Sequence, residues 1–186
     1  GGMGHDADDA PRVAVVGGGL AGLLLARRLQ HAGVAVTVFE GDEGPDARSQ
    51  GGSLDLHVAS GQRALKSAKL FEQFTAHVQP GADAMCLMDS QMNILFSDDG
   101  DGSRPEIERS DLRKILLDGV HKDALQWGCK LQGIEAPVHA TDPLKLLFTN
   151  GSSEAADVVI GADGAWSTVR AVLTDVRPQY SGVSFV

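Results

Sequence analysis

The chain has 186 residues, 42% apolar and 22% charged, the make-up of a soluble folded domain rather than of a membrane span or a disordered tail. Sixteen basic against 25 acidic residues leave a formal charge of −9, a surface that repels phosphate backbones and argues against a nucleic-acid partner. Cys86 and Cys129 are the only cysteines and form no CxxC pair; they read as two buried thiols, not as a disulfide framework or metal site.

Residues 1–10 are polar, lack the apolar stretch of a signal peptide, and read as a disordered leader or expression remnant. The apolar run RVAVVG at 12–17 stops at glycines and predicts a buried parallel strand. A helix is expected over 20–32, with Leu25 and Leu29 one turn apart and Gly33 ending it. AVTVFE at 35–40 predicts a second strand, so that 12–40 is a βαβ unit. The longest apolar run, LLLA at 23–26, is far too short to cross a bilayer, and a cytoplasmic setting is expected.

The stretch 41–52 has no periodicity and reads as loop, and 60–77 as helix with a break near Lys69–Leu70. Segments 83–88 and 93–96 predict a hairpin around Asp89–Met92, with Met85, Met88 and Met92 as core filling. After a turn-rich loop at 97–105, a helix is expected over 110–124. Ser110 would be its N-cap, and Leu112, Ile115, Leu116 and Val120 would share one face. Short strands are expected near 129–134, 145–149 and 157–163, with TNGSS as the hairpin turn between the last two. A short helix at 167–174 and a strand beginning at GVSFV close the chain, and Trp127 and Trp166 read as packing residues. The six histidines, His57 among them, are scattered without a spacing that suggests a site.

The motif G17-G-G19-L-A-G22 lies between the first strand and its helix. Gly17 allows the tight turn, Gly19 lets backbone approach a pyrophosphate, and Gly22 permits close packing of helix on strand. Leu20 and Ala21 open the helix, whose N-terminal N–H groups suit phosphate. Glu40 ends the second strand, where a carboxylate accepts hydrogen bonds from both hydroxyls of a ribose. This predicts a dinucleotide site without separating FAD from NAD. The acid disfavours NADP as the tightly held nucleotide, since a 2′-phosphate would face it.

At 157–170 the chain reads DVVIGADGAWSTVR, an apolar strand leading into Asp163-Gly164 with Ser167 and Arg170 downstream. This segment resembles the second fingerprint of the flavoprotein aromatic hydroxylases (group A monooxygenases). There the motif contributes to FAD and pyridine-nucleotide binding, partly by holding local structure. GGSLDLHVASGQRAL at 51–65 and PEIERSDLRKILL at 105–117 are similar to the tetracycline-inactivating monooxygenases of that superfamily. The resemblance implies cofactor contacts from Arg48, Asp55 and Arg109, with Arg113 in support one turn on. Such relatives carry a basic residue after the ribose acid, where this chain has Gly41.

The resemblance further implies an α/β fold, a Rossmann-like FAD-binding domain of the glutathione-reductase type with three ββα layers and the start of a substrate-binding β-sheet. Residues 11–80 and 107–177 would form the FAD-binding domain, 81–106 would belong to the substrate sheet, and 178–186 would begin the rest of it. Relatives run to nearly twice this length, so the chain reads as a truncated N-terminal portion. Its expected partners are a small organic substrate and a C-terminal half carried by a separate chain. The implied activity is NAD(P)H-dependent hydroxylation of an aromatic or polyketide-like compound, a tetracycline among them, through a flavin hydroperoxide. FAD is the bound cofactor and NAD(P)H the co-substrate. No side chain is assigned as acid, base or nucleophile. Two alternatives stand beside it: an FAD-dependent reductase or dehydrogenase of the same fold, and a non-catalytic flavin-binding module that needs a partner chain.

Overall fold

The computed structural model describes residues 10–47, 51–79, 81–137, 139 and 141–184. They fall into two compact units, Gly1–Ala47 with Val120–Val186, and Arg48–Gly119. These units of packing divide the chain at 47/48 and 119/120, whereas the sequence placed its boundaries at 80/81 and 106/107.

In the first unit, strand β1 (Val13–Val16) leads into helix α1 (Leu20–His31) and strand β2 (Val36–Phe39). Hydrogen bonds from Gly33 N–H to Gln30 O (3.0 Å) and from Val34 N–H to Leu29 O (2.9 Å) close the helix. Gly33 sits at φ 75°, where only glycine is unstrained, so the sequence ends the helix where the backbone must reverse. Gly22, Leu23 and Ala26 form its buried stripe, and Leu25 and Leu29 are half-buried.

After the Arg48–Gly119 segment the chain returns as β7 (Leu125–Gln126). Strands β8 (Leu131–Glu135), β9 (Leu144–Phe148), β10 (Ser153–Ala156) and β11 (Val158–Gly161) follow, then α5 (Arg170–Leu173). The parallel sheet has the order β11-β1-β2-β7, and the antiparallel sheet the order β10-β9-β8. Strand alternation divides the parallel sheet's faces. Ala14, Val16 and Phe39 pack on Leu131, Leu146, Phe148 and Ala156 of the antiparallel sheet. The Phe39 and Phe148 ring centroids are 4.9 Å apart. Val15 and Val38, both fully buried, face the other way, the side on which α1 packs. This is the three-layer ββα arrangement.

The sequence reading needs correction in several places here. Its single strand at 157–163 missed β10 altogether: TNGSS connects β9 to β10, and only Asp157 separates β10 from β11 in the other sheet. Residues 125–126, expected to follow directly on a helix ending at 124, form the edge strand β7, bonded to Val38 and Phe39. No strand forms over 182–184 at the chain end; 185–186 lie outside the described residues. Trp166, expected to pack, is 81% exposed. Cys129 is half-buried, and partial burial pushes its thiol up from the usual range.

Asp157 also ties the start of β11 to the start of β1. Its carboxylate accepts from Arg12 backbone N–H (2.7 Å), Nε (2.9 Å) and Nη2 (2.8 Å). These charge-assisted bonds hold the Asp157 carboxyl at about 2, below its ordinary 3.8. A depressed acid stabilises the fold above the unfolded value and loses that contribution as pH falls through the folded one. Arg12→Gln should therefore lower the urea midpoint at pH 6, with the gap to the parent closing between about pH 4 and pH 2. A gap of constant size down to pH 2 would show the pair to be without effect.

The second unit pairs β3 (Ser53–Asp55) antiparallel with β6 (Glu106–Glu108). A π-helical turn at Val58–Gln62 runs into α2 (Arg63–Ser67), and Lys69, at φ 55°, breaks the chain before α3 (Phe71–Thr75). Leu65, Ala68, Leu70, Phe74, Ile107, Leu112, Ile115 and Leu116 are buried apolar residues of this unit. Helix α4 spans Arg109–Gly119, so Ser110 lies inside it and is not the N-cap. Strand β6 passes straight into the helix, with Arg109 N–H on Gly52 O (2.9 Å), leaving no loop for a cap to close. The helix also stops five residues before the expected 124, and Lys122–Ala124 form a separate 3₁₀ turn.

The expected hairpin is present as β4 (Met85–Met88) and β5 (Ile94–Asp98). The Asp89 carboxylate closes its turn by accepting from Gln91 N–H, Asn93 N–H and Asn93 Nδ2, which lowers its carboxyl from the ordinary range. Its methionines are not core: Met85, Met88 and Met92 are 53%, 42% and 75% exposed, and Cys86 is exposed with them.

Candidate dinucleotide site

The glycine loop is built by backbone contacts that leave no room for side chains. Gly17, at φ 107°, donates its N–H to Phe39 O (2.8 Å). A Cβ there would lie 2.4 Å from Ala162 O and 3.0 Å from Asp163 N. A Cβ on Gly22 would lie 2.0 Å from Gly17 O. Gly19 is different: nothing stands within 4 Å of where its Cβ would be. It occupies the N-cap of α1 in extended conformation, with no side chain capping the helix. The first intrahelical bond runs from Leu23 N–H to Gly19 O (3.0 Å), so the N–H groups of Leu20, Ala21 and Gly22 precede it. An open approach to an uncapped helix N-terminus suits a pyrophosphate.

Glu40 is 7% exposed, and its carboxylate accepts from Gly18 N–H (2.6 Å, Oε2) and Asp42 N–H (2.9 Å, Oε1). Each oxygen retains a second lone-pair direction, as ribose hydroxyls require. The loop after β7 is sewn to this strand end. Glu40 N–H donates to Gln126 O, Cys129 N–H to Glu40 O, and Gly128 N–H to Asp42 O, each at 2.8 Å. The sequence reading did not find this wall, because it joins residues nearly ninety positions apart in the chain.

The second fingerprint meets the first. Ala162 N–H donates to Val16 O (2.7 Å), and the Ala162 and Asp163 backbone is the surface that Gly17 must clear. Asp163 is half-buried and accepts from the Ser167 hydroxyl, Thr168 N–H (2.7 Å) and Val169 N–H (3.2 Å). Ser167 Oγ accepts from Arg170 N–H (2.9 Å), and Arg170 Nη2 donates to Ala165 O (2.7 Å). The DG-x-x-S-x-x-R pattern thus folds its own loop, with Gly164 at φ 79° making the turn.

Residues 11–183 match the family described as "FAD binding domain". The chain belongs to that family. The FAD-binding domain is 34% identical to the monooxygenase asqM of Emericella nidulans over 190 residues, 94% of this chain and 43% of that protein. It is 28% identical to the 3-amino-4-hydroxybenzoate 2-monooxygenase PtmB3 of Streptomyces platensis, covering 97% of this chain and 46% of the relative. Among solved structures, tetracycline destructase Tet(51) superposes with a TM-score of 0.68 at 24% identity, over 89% of this chain and 42% of the other. The chain therefore spans less than half the length of the relatives it matches.

The remaining expected cofactor residues of the FAD-binding domain lie in the second unit. Asp55, exposed at the end of β3, has Oδ2 3.3 Å from His57 Nε2, a pairing the sequence reading passed over. Arg109 is half-buried at the start of α4. Arg113 is only 4% exposed, so it is no surface charge of that helix. Arg48 lies outside the described residues. Among the described residues no group of three or more His, Cys, Asp or Glu is placed to hold a metal ion, and no helix is long and apolar enough to cross a membrane.

Proposed function

We propose that this chain is the FAD-binding portion of a NAD(P)H-dependent flavoprotein monooxygenase acting on an aromatic or polyketide-like molecule, with tetracyclines in the candidate class. The observation that carries the reading is the abutment of the Gly17–Gly22 loop on Ala162-Asp163, which unites two fingerprints distant in sequence. The family match and the named monooxygenase relatives support it.

In this reading the N-terminus of α1, opened by Gly19, Leu20 and Ala21, holds the pyrophosphate of FAD, and Glu40 holds the adenosine ribose. Asp163 and Gly164 shape the loop beside them. Arg48, Asp55 and Arg109 are assigned as further cofactor contacts, with Arg113 in support, since arginines suit phosphate oxygens and a carboxylate suits a hydroxyl. When bound, the flavin would supply the redox chemistry of a hydroxylation that uses NAD(P)H and O₂. The protein's part is to bind, orient and exclude water; no side chain of the chain is assigned a proton transfer.

The hairpin β4–β5 serves as the first two strands of a substrate-binding sheet. Its exposed Leu87, Phe96 and Ile94, at 55%, 51% and 63%, support this, since a two-stranded ribbon needs a covered face to be stable. The complement is a segment equivalent to the C-terminal half of the relatives, on this polypeptide or a separate one. A cytoplasmic enzyme fits this chemistry.

The test is to supply the chain with a C-terminal half from a relative, FAD and NAD(P)H, and to follow ¹⁸O₂. Labelled oxygen in the organic product, with O₂ consumed in step with NAD(P)H, is the expected result. NAD(P)H oxidation with no label in the product would favour a reductase of the same fold instead.

A further inference from the structure

We propose that Lys130 is an adenosine-side nucleotide-binding residue, its stem occupying the space that a side chain at position 41 would need. This rests on the dinucleotide reading of the site. Gly41 follows the buried ribose acid Glu40, yet its backbone is not in the left-handed region where glycine is required. Conformation therefore does not explain the glycine, whereas the space beside it is tight. A Cβ on Gly41 would lie 3.1 Å from Lys130 Cβ, 3.4 Å from Lys130 Cα and 3.5 Å from Lys130 Cγ.

The lysine is held there by backbone. Cys129 N–H, one residue before it, donates to Glu40 O (2.8 Å), and Thr149 N–H donates to Lys130 O (2.9 Å). Its side chain is exposed, and among the described residues no ion pair or hydrogen bond engages the ammonium. The turn it packs against reads EGDEGPD from Glu40, four acids in seven residues, while the ligand of the site brings a pyrophosphate of the same sign. A cation anchored on that turn offsets both and donates to the ribose–adenine end, the work that a basic side chain at 41 would do from the neighbouring strand.

Titration with ADP, and separately with FAD, tests this in the full chain, the Lys130→Met variant, and the pair Lys130→Gly and Lys130→Gly/Gly41→Arg. Lys130→Met keeps the stem and removes only the charge, so the melting temperature without ligand should fall by no more than about 2–4 °C, the size of one exposed charge interaction. Its affinity for both ligands should fall by roughly 10-fold, the size of one charge-assisted hydrogen bond. Lys130→Gly should bind as weakly, and adding Gly41→Arg should recover most of the loss, because removing the Lys130 Cβ and Cγ leaves only its Cα, at 3.4 Å, beside the new side chain. Parent-like ADP affinity in Lys130→Met, or a double variant as weak as Lys130→Gly, would overturn the assignment of Lys130 alone. A parent chain that binds neither ADP nor FAD would overturn the dinucleotide reading, and Lys130 with it.

Discussion

Gly22→Ala should cost the protein both its stability and its nucleotide, whereas Gly19→Ala should cost it the nucleotide alone. The two substitutions add the same methyl to the same loop, three residues apart. At Gly22 the new carbon would sit 2.0 Å from Gly17 O and 3.3 Å from Ala162 Cβ. The first of these is backbone that no rotamer change relieves, so α1 must lift from β1. Overpacking of this kind costs about 3 kcal/mol or more, a fall in melting temperature of roughly 6–12 °C for a chain of this size. At Gly19 the carbon meets nothing within 4 Å, and the only structural cost is that of alanine in place of glycine at an N-cap, about 1 kcal/mol. The melting temperature should fall by no more than about 2–4 °C. FAD affinity should nevertheless fall by at least about 10-fold, because the methyl stands where the phosphates approach the helix. Thermal melts and flavin titrations of both variants check this. Equal melting temperatures for the two would contradict the packing account, and unchanged FAD affinity in Gly19→Ala would contradict the site.

The second large effect is expected at Asp163. Three donors converge on its carboxylate, the Ser167 hydroxyl and the Thr168 and Val169 N–H groups. Asp163→Ala leaves all three without their acceptor in a half-buried loop, a loss of about 2–3 kcal/mol. Asp163→Asn keeps one acceptor oxygen and turns an amide toward the other donors, so about half of that loss should remain. The ordering parent, Asn, Ala in urea midpoint is the expected result. An Asp163→Ala chain as stable as the parent but defective in FAD binding would assign the residue to ligand contact and remove its structural role.

What was legible in the sequence is what local physics determines. The strand, glycine loop, helix and Glu40 could be read because each step is set by neighbours within about one turn or one strand. Gly33 ended its helix as expected because its positive φ is a property of the residue itself. The strands β7 and β10 were illegible for the opposite reason. β7 has two residues and exists only because Val38 and Phe39 offer an edge to it. β10 and β11 share one run of sequence, and only the different partners of Ala156 and Val158 place them in separate sheets. Apolar composition also misled at the hairpin, where alternating methionines suggested a core and are exposed instead. In the site, Glu40 was legible as an acid at a strand end, but its wall of Gly128–Lys130 was not. Hydrogen bonds across almost half the chain create that wall, and no spacing rule anticipates them.

The central claim is that residues 10–47 and 120–184 form one FAD site from two fingerprints. The most direct test is a visible titration of the purified 186-residue chain with FAD, beside Glu40→Gln. The account predicts saturable binding of one equivalent, with perturbed flavin absorption and affinity reduced by about 10- to 100-fold in the variant. FAD that passes through unbound, or binds Glu40→Gln and the parent alike, would contradict it.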